Sequence, residues 1–301
     1  MTKKTIYKKT IYLSGPMAGI PEYNYPAFHA NASFLRHTGW NVLSPAELNA
    51  DLGINADTVM TEALYLYLIK NDYAALIKSD AIAFIPGWEK SRGAKLESGF
   101  ANVLHLDRYR VDASRSYFEQ EKIIGLTGYA QSGKDTIAQQ FVQKGGYERI
   151  GFADSLKKIL YSLNPKVELF NNDYIGHWHV KNLVDDWGWD EAKKEPEIRQ
   201  LLQRLGVEGG RVALGEDIWV KTLFNSPHGA RIVIPDVRFQ NEADEVRRRG
   251  GIVIQIIRPG VGPVNDHDSD KIDFEADYVL VNDKTPEESY ATLLSYLEPP
   301  L

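Results

Sequence analysis

The chain has 301 residues, of which 43% are hydrophobic and 25% charged, with a net charge of −6 and no cysteine. This composition is ordinary for a globular protein, and the lack of cysteine excludes disulfides and thiolate metal sites. The acidic balance argues against a nucleic-acid polymer as partner, because binding to a phosphate backbone draws on a basic face. No run approaches the ~18 apolar residues of a membrane span and no signal-peptide pattern occurs, so we expect no membrane partner and a cytoplasmic location, the host cytoplasm for a viral protein.

The first third of the chain alternates short apolar runs with helical patterns. The sequence KKTIY occurs twice in residues 3–12, which is too short for a repeat architecture. We expect the second copy to begin the first strand and the first copy to be a frayed leader. Short apolar runs between helices predict a parallel sheet covered on both faces. The predicted strands are 10–13, 40–43 and 81–85, and the predicted helices are 27–37, 58–78 and 93–104.

A charged stretch, DRYRVDASRSYFEQEK, shows no clear apolar period and is followed by an apolar strand. We therefore predict a first domain of residues 1–112, a linker at 113–121 and a second domain of residues 122–301. The second domain repeats the α/β pattern, and its last helix begins with a threonine cap followed by proline, at Thr285-Pro286. Its predicted strands are 123–128, 231–238, 252–259 and 278–282, with a charged helix at 241–250. The predicted fold class is α/β, with two tandem parallel-sheet domains.

A glycine-bearing loop, GYAQSGKDT, follows the first strand of the second domain and opens a helix. Glycines let backbone N–H groups curl around phosphate oxygens, the helix N-terminus adds partial positive charge, and Lys134 can reach the β- and γ-phosphates. A glycine-rich turn that serves close packing alone is the alternative. The predicted ATP-binding residues are Gly128, Ser132, Gly133, Lys134, Asp135 and Thr136.

The residue after such a lysine is usually a serine or threonine whose hydroxyl binds Mg²⁺. Here that position holds Asp135, and Thr136 stands one place further on. We predict Asp135 and Thr136 as metal ligands, so the expected cofactors are ATP and Mg²⁺. His267, in the sequence NDHDSD, suggests another metal site, although a flexible acidic loop explains it as well.

Six segments of the second domain occur in the order seen in bacteriophage deoxynucleoside monophosphate kinases. They are GYAQSGKDT, FADSLK, EIRQLLQRLG, EDIWVK, IPDVRFQNE and IIRPG. The resemblance runs from about Ile123 to the C-terminus. It implies a P-loop kinase fold and transfer of the γ-phosphate of ATP to a deoxynucleoside monophosphate (dNMP), which gives the diphosphate (dNDP). A nucleotide-binding switch without kinase activity is the alternative.

Phosphoryl transfer needs positive charge on both the donor and the acceptor phosphates. Asp236 and Arg238 lie at or just past the end of an apolar strand, where ligands bind in parallel sheets, and we predict both as catalytic with Lys134. Trp219 could equally be a core residue, and Arg199 could belong to a solvated face. The predicted dNMP-binding residues are Asp154, Lys157, Arg199, Gln203, Trp219, Lys221, Arg238 and Arg258.

A second resemblance covers residues 10–106, through IYLSGPMAGIPEYNYPAF, Asp72 and SDAIAFIPGWEKSRGAKLESGFA. These segments are similar to the nucleoside 2-deoxyribosyltransferase superfamily, including its branch of 2′-deoxynucleoside 5′-phosphate N-hydrolases. The resemblance implies a Rossmann- or flavodoxin-like domain that cleaves or exchanges the N-glycosidic bond of a dNMP. Whether it is a hydrolase or a transferase stays open.

The implied chemistry assigns roles to individual residues. An oxocarbenium-like centre needs a nearby carboxylate, so Glu97 would be the nucleophile and Asp72 would orient it or protonate the leaving base. Glu97 could instead be an ordinary first-turn glutamate that the helix dipole favours. The predicted nucleotide-binding residues of this domain are Gly15, Met17, Asn24, Ser91, Gly93 and Glu97.

The two resemblances converge on one class of ligand. The sequence therefore predicts a bifunctional enzyme of deoxynucleotide metabolism with small-molecule substrates, ATP and dNMPs. We expect a homo-oligomer, most simply a dimer. The alternative is a kinase whose first domain is a non-catalytic nucleotide-binding or oligomerisation module.

Overall fold

The computed structural model describes residues 8–55, 58–171, 174–226, 228–262 and 272–297. The first KKTIY copy and His267 lie outside the described residues. The chain divides into two compact units. The first comprises Met1–Ile123 with the short segments Gly229–Arg231 and Arg248–Gly251, and the second comprises the rest of the chain.

The first unit is built on a five-stranded sheet of order β2-β1-β3-β4-β5. β1 pairs in parallel with β2 and β3, β3 pairs in parallel with β4, and β5 is antiparallel to β4. The order 2-1-3-4-5 is that of flavodoxin-like sheets. The strands are β1 (Thr10–Ser14), β2 (Asn41–Leu43), β3 (Ala81–Phe84), β4 (Asp107–Asp112) and β5 (Tyr117–Gln120), and the helices are α1 (Tyr25–His37), α2 (Pro45–Asp51), α3 (Glu62–Ile77) and α4 (Arg92–Val103).

Alternate side chains of these strands enter two hydrophobic cores. On one face, Ile11 and Leu13 of β1 pack with Phe28 and Leu35 of α1. On the other face, Tyr12 packs in a cluster that contains residues of α3 and α4. The period of two along β1 therefore places Tyr12 and Ser14 on the side of the sheet that α3 and α4 cover.

Most of residues 107–120, which were predicted to lack regular structure and to continue into a linker, instead form β4 and β5, with a short 3-10 helix at Ala113–Arg115 between them. Arg108 and Arg110 are buried and paired: their Nε atoms lie 2.6 Å and 2.5 Å from the two carboxylate oxygens of Glu121. Aromatic packing completes the pair of strands, since Tyr109 stacks on Phe118 with ring centroids 4.8 Å apart. Charged residues at buried strand positions interrupt the apolar alternation by which a strand is normally predicted from sequence.

The second unit contains a five-stranded sheet of order β12-β11-β6-β10-β7 and a separate antiparallel hairpin of β8 and β9. β11 pairs in parallel with β6 and β12, and β10 pairs in parallel with β7. The strands are β6 (Lys122–Thr127), β7 (Glu148–Arg149), β8 (Lys166–Asn171), β9 (Tyr174–His179), β10 (Arg231–Ile234), β11 (Ile252–Ile257) and β12 (Tyr278–Val281). The helices are α5 (Lys134–Gly145), α6 (Phe152–Leu163), α7 (Val180–Ala192), α8 (Pro196–Arg204), α9 (Ile218–Asn225), α10 (Gln240–Arg248) and α11 (Pro286–Leu297), with a π-helical segment Leu205–Val212 after α8.

The core of this second sheet is apolar on the strands and aromatic on the helices. Leu126 and Ile254 are fully buried, and Phe141 of α5 contacts Tyr290 of α11 edge to face. The predicted α/β class with parallel sheets is confirmed. None of the helices in the described ranges combines the length and apolar character that a membrane crossing requires.

Candidate functional site

The phosphate loop lies between the end of β6 and the start of α5, as the sequence predicts. Gly128 and Gly133 have φ of 143° and 98°, a region that side-chain-bearing residues rarely adopt. A Cβ on Gly128 would lie 2.4 Å from the carbonyl oxygen of Ile256, and one on Gly133 would lie 2.3 Å from Nδ2 of Asn282. Gly128 is therefore required by close approach as well as by backbone conformation, and Gly133 by its backbone conformation.

Lys134 begins α5 and its side chain folds back over the loop. Its Nζ donates to the carbonyl oxygens of Gly128 and Tyr129, each at 2.6 Å. Ser132 is fully buried within the loop, and its hydroxyl has no hydrogen-bond partner among the described residues. The loop thus brings an ammonium group and the N-terminus of a helix together, an arrangement that suits an anionic ligand.

A groove of about 400 Å³ adjoins this loop. Its lining includes Gly133 and Thr136 from the loop region, Arg258 after β11, and Asn282 and Lys284 after β12. Arg258 was predicted to contact the dNMP, and the structure places it in the same groove as the predicted ATP-binding residues. The parallel strands β11 and β12 both end here, which explains why the segments that follow them meet the loop.

The predicted metal ligands Asp135 and Thr136 have different surroundings. The Asp135 side chain is 76% exposed, and its nearest cation is Arg149, at 3.9 Å. Thr136 lines the groove. Among the described residues no group of three His, Cys, Asp or Glu side chains could hold a metal ion. Mg²⁺ at this loop would therefore need oxygen atoms from nucleotide phosphates beside Asp135 or Thr136, which is how proteins commonly hold it.

Asp236 follows β10 and contacts the start of α6. Its carboxylate accepts hydrogen bonds from the backbone N–H groups of Phe152, at 3.0 Å, and Ala153, at 2.9 Å. Burial raises the pKa of Asp236, while these two hydrogen bonds favour its charged form. The carboxylate thus fixes the position of the α6 N-terminus, a partner that the sequence alone did not reveal.

Arg149, at the end of β7, contacts the predicted residue Asp154, and sequence reasoning did not single it out. Its Nη1 lies 2.8 Å and 2.9 Å from the two carboxylate oxygens of Asp154. Asp154 also accepts from the N–H of Gly151 at 2.8 Å, and Lys157 lies 3.9 Å from it. β7 has only two residues and both are exposed, so no apolar pattern signalled a strand end here.

Glu242 is a second missed residue, and it organises the segment around Arg238. Its buried carboxylate accepts from the backbone N–H groups of Arg238, at 2.7 Å, and Phe239, at 3.2 Å. Arg211 from the π-helical segment lies 2.5 Å from the same carboxylate. Burial raises the pKa of Glu242 to about 7, against the opposing effect of Arg211. The Arg238 side chain itself is exposed.

The remaining predicted dNMP-binding residues lie on α8 and α9. Arg199 is exposed on α8, and Gln203 is half-buried one turn later. Trp219 is buried, and its indole Nε1 donates to the carbonyl of Gly206 at 2.7 Å, which is the packing role that the sequence left open. Lys221 is exposed and lies 3.9 Å from Asp217. In the described part of the chain, no hydrogen bond or ion pair joins these four side chains to one another.

The first unit contains a buried carboxylate cluster centred on Glu97 of α4. Its Oε1 accepts from the Tyr12 hydroxyl at 2.9 Å, and its Oε2 accepts from the Ser14 hydroxyl at 2.5 Å. Burial raises the pKa of Glu97 to about 7, and the nearby charge of Asp72 acts in the same direction. Burial likewise raises the pKa of Asp72 to about 6, and its Oδ1 is buried without a hydrogen-bond partner in the described part of the chain.

This cluster lies where a ligand is expected in such a sheet. Ser14 ends β1, and β1 lies between β2 and β3, where the strand order reverses. Ligands of open α/β sheets bind at this switch point, outside the carboxyl ends of the strands. The structure therefore brings the predicted Glu97 and Asp72 together, and adds Tyr12 and Ser14. Sequence reasoning missed these two, although their alternation along β1 was the available signal.

The other predicted residues of the first unit shape the loops. The Ser91 hydroxyl caps α4 by accepting from the N–H of Ala94 at 3.3 Å, and Gly93 lies in the first turn of that helix. A Cβ on Gly15 would lie 2.2 Å from the Ile85 side chain, so close packing requires glycine there. The two remaining predicted residues stabilise the segment that follows β1. Met17 packs against the core, and the Asn24 side chain donates to the carbonyl of Pro16 at 2.8 Å.

A strand, a phosphate loop with its lysine, and a helix on a parallel sheet define the second unit as a P-loop protein. The chain is 34% identical over 190 residues to a protein of Acanthamoeba polyphaga mimivirus described as "Putative deoxynucleotide monophosphate kinase", with 58% of this chain and 96% of the viral protein covered. The chain belongs to the family of this viral kinase.

Further similarities extend to a family model and to a solved structure. Residues 9–108 match a family model described as a domain of unknown function (DUF4406). A crystal structure of shikimate kinase from Aquifex aeolicus vf5 is similar with a TM-score of 0.32 and 14% identity, over 58% of this chain and 95% of that one.

Proposed function

We propose that the second unit transfers the γ-phosphate of ATP to a dNMP and releases a dNDP. The observation that carries the proposal is the phosphate loop, in which Gly128 and Gly133 adopt a positive-φ backbone that other residues rarely adopt and Lys134 lies over it. Membership in the family of the viral kinase supports the choice of a deoxynucleotide as acceptor. ATP and Mg²⁺ are the proposed cofactors.

In this proposal the donor nucleotide occupies the loop and the adjoining groove. Backbone N–H groups of the loop and Lys134 would neutralise the β- and γ-phosphates as negative charge develops. Arg258 and Lys284 line the groove, so we assign Arg258 to the donor side. Mg²⁺, when bound, neutralises phosphate charge, with Asp135 and Thr136 as the side chains available to it.

The acceptor is proposed to bind near the ends of β7 and β10. Asp236 fixes the start of α6, where Asp154 and Lys157 lie, and Glu242 fixes the backbone of Arg238. Arg149 and Arg238 add positive charge at this edge, and a dNMP phosphate needs such charge. Arg199, Gln203 and Lys221 stay predicted contacts of the acceptor.

The test is chromatography of the products that the full chain forms from a panel of dNMPs with ATP and Mg²⁺. We expect a dNDP that depends on ATP. The Lys134→Ala variant should lose at least ~10²-fold in rate, the usual effect of removing a preorganised charge from a transition state. ATP hydrolysis without dNDP from any dNMP would contradict the kinase proposal and leave a nucleotide switch.

A second activity is proposed for the first unit, because its buried carboxylate cluster is set at the switch point of the sheet. We infer that Glu97 attacks C1′ of a 2′-deoxynucleoside 5′-monophosphate and the C1′–N bond breaks. The departing base takes a proton from Asp72, whose raised pKa suits an acid. Water or a second base then displaces the glycosyl group from Glu97. Ser91 is the proposed contact of the 5′-phosphate.

Base release distinguishes this activity from a regulatory role. The full chain should release free base from at least one dNMP in the absence of ATP. The unphosphorylated deoxynucleoside should be a poorer substrate, because a charge-assisted phosphate contact contributes about 1.5–3 kcal/mol. No base release from any dNMP by the folded chain would favour the non-catalytic module.

A further inference from the structure

Asn282 stands directly after β12, and its side chain contacts the phosphate loop. Its Nδ2 donates to the carbonyl oxygen of Ser132 at 2.8 Å. Its own backbone N–H donates to the carbonyl of Ile257 at 2.7 Å, which fixes the residue to the end of β11. The Asn282 side chain packs directly against the backbone of Gly133, since a Cβ there would lie 2.3 Å from the same Nδ2.

The orientation of the Asn282 amide is fixed from its other end. Oδ1 accepts a hydrogen bond from the Ser289 hydroxyl at 3.1 Å. Ser289 is buried in α11, and α11 packs against α5, the helix that the loop opens. Because the Ser132 carbonyl can only accept, the Nδ2 group is the one that faces the loop, and the Ser289 hydroxyl donates to Oδ1 on the other side.

This contact determines the direction of one loop amide. A peptide unit is planar and trans, so its C=O and N–H groups point in opposite directions. With the Ser132 carbonyl held by Asn282, the N–H of Gly133 points away from Asn282. Backbone N–H groups of this loop are the donors to nucleotide phosphates in the proposed function. Their directions therefore decide how well the loop binds an anion.

We propose that Asn282 is a positioning residue of the ATP site, which sets the Ser132–Gly133 peptide for phosphate binding and is itself oriented by Ser289. The proposal rests on the assignment of this loop to ATP. It also assigns α11 a part in nucleotide binding through Ser289. Asn282 and Ser132, the two residues in contact, are 150 residues apart in sequence.

The experiment measures the Kd of ATP for the full chain by calorimetry, with thermal unfolding as a check of folding. Asn282→Ala should raise the Kd of ATP about 3- to 10-fold, the effect of one lost hydrogen bond. Asn282→Asp should raise it at least as much, because a carboxylate oxygen would face the Ser132 carbonyl. The Kd of a dNMP should change less than twofold in both. If Asn282→Ala does not fold, the near-isosteric Asn282→Asp carries the test.

Ser289 supplies a coupling test with a matched control on the same helix. Ser289→Ala should weaken ATP binding, and the double variant with Asn282→Ala should bind no worse than Asn282→Ala alone, because Ser289 acts through Asn282. Ser295→Ala removes an exposed serine of α11 and should leave the Kd unchanged. Folded Asn282 variants that bind ATP like the parent, or that weaken ATP and dNMP equally, would overturn the proposal. A parent that binds ATP but makes no dNDP contradicts the kinase proposal alone.

Discussion

Opposing effects act on the ionisation of the Glu97 carboxyl group. Burial and the charge of Asp72 disfavour ionisation, whereas hydrogen bonds from Ser14 and Tyr12 favour it. The balance raises the pKa to about 7, so the group changes charge near neutral pH. A carboxylate that is half-ionised near pH 7 can act as a nucleophile while still exchanging protons with its neighbours.

The first prediction concerns the pH dependence of stability. A carboxyl group with a folded-state pKa above its unfolded value binds more protons in the folded state, so stability falls as pH rises from about 4.5 to about 7. Glu97→Gln removes this loss and keeps acceptor and donor groups for Tyr12 and Ser14. Relative to the parent, the variant should gain on the order of 1–3 kcal/mol in unfolding free energy across that range.

Urea unfolding at several pH values between 4 and 8 measures this difference. Glu62→Gln is the matched control, since Glu62 is exposed in the first turn of α3. A Glu97→Gln difference that stays constant with pH would mean that the carboxyl group titrates alike in the folded and unfolded chain. The proposed base release needs Glu97 ionised and Asp72 protonated, so its kcat/KM should pass through a maximum between about pH 6 and pH 7 and fall on both sides.

Asp135 replaces the usual hydroxyl after the loop lysine, and its exposed carboxylate is accessible to a cation. We predict that Asp135→Asn raises the Mg²⁺ concentration for half-maximal kinase rate by roughly tenfold, which corresponds to about 1.4 kcal/mol. The physical reason is that a carboxylate is a better ligand than an amide for a hard cation. Titration of the initial rate with Mg²⁺ at saturating ATP tests this. An unchanged midpoint would place the metal on other groups.

At the scale of elements, the connection between β1 and α1 adopts an unusual backbone. Glu22, Tyr23 and Asn24 have φ of 51°, 48° and 61°, so three consecutive non-glycine residues are left-handed. Each such residue costs about 1–2 kcal/mol relative to ordinary conformations. Hydrogen bonds compensate in part, from the Tyr23 hydroxyl to the Thr58 carbonyl and from Asn24 to Pro16.

Glycine at position 22 should therefore be tolerated or stabilising. Glu22 is exposed, and glycine removes the left-handed penalty at an entropic cost of about 0.5–1 kcal/mol, so we expect a net gain on the order of 0.5 kcal/mol. Lys70→Gly, at an exposed position within α3, is the comparison and should cost about 1 kcal/mol. Urea unfolding of Glu22→Gly, Lys70→Gly and the parent chain measures the two changes in unfolding free energy. Equal losses would argue against the left-handed turn in solution.

Elements with a strong local signal could be predicted from the sequence, and those that depend on distant partners could not. The phosphate loop is local, because glycines, a lysine and the preceding strand define it within nine residues, 128–136. β4 and β5 were missed because Arg108 and Arg110 are buried by pairing with Glu121. A sequence pattern registers such charges as exposed and cannot show that they neutralise each other.

The same distinction applies to the candidate sites. Glu97 could be predicted as a carboxylate on a helix, but its partner Tyr12 lies 85 residues away and is identified only by the packing of α4 against β1. Asp236 was predicted as catalytic, and its hydrogen bonds to the start of α6 cross 84 residues. Residue types in the sequence thus indicated the chemistry. The folded structure was needed to identify the distant groups that shift the pKa of Glu97 and that hydrogen-bond to Asp236.

At the scale of the whole molecule, each unit holds its own candidate site. Lys134 and the groove belong to the second unit, and Glu97 with Asp72 belongs to the first. Both proposed activities use a deoxynucleoside monophosphate, one by extending its phosphate and the other by removing its base. In one chain they would compete for the same substrate, and the ATP supply would set the share that is phosphorylated.

The last prediction tests whether the two sites act independently in the full chain. Lys134→Ala should lose at least ~10²-fold in dNDP formation and keep base release within about twofold of the parent. Glu97→Gln should do the reverse, because the neutral amide cannot stabilise an oxocarbenium-like centre but leaves packing intact. Both products are measured in one chromatogram from the same dNMP, with and without ATP. If Glu97→Gln lowered dNDP formation as strongly as Lys134→Ala does, the first unit would be acting on the kinase rather than on a substrate of its own.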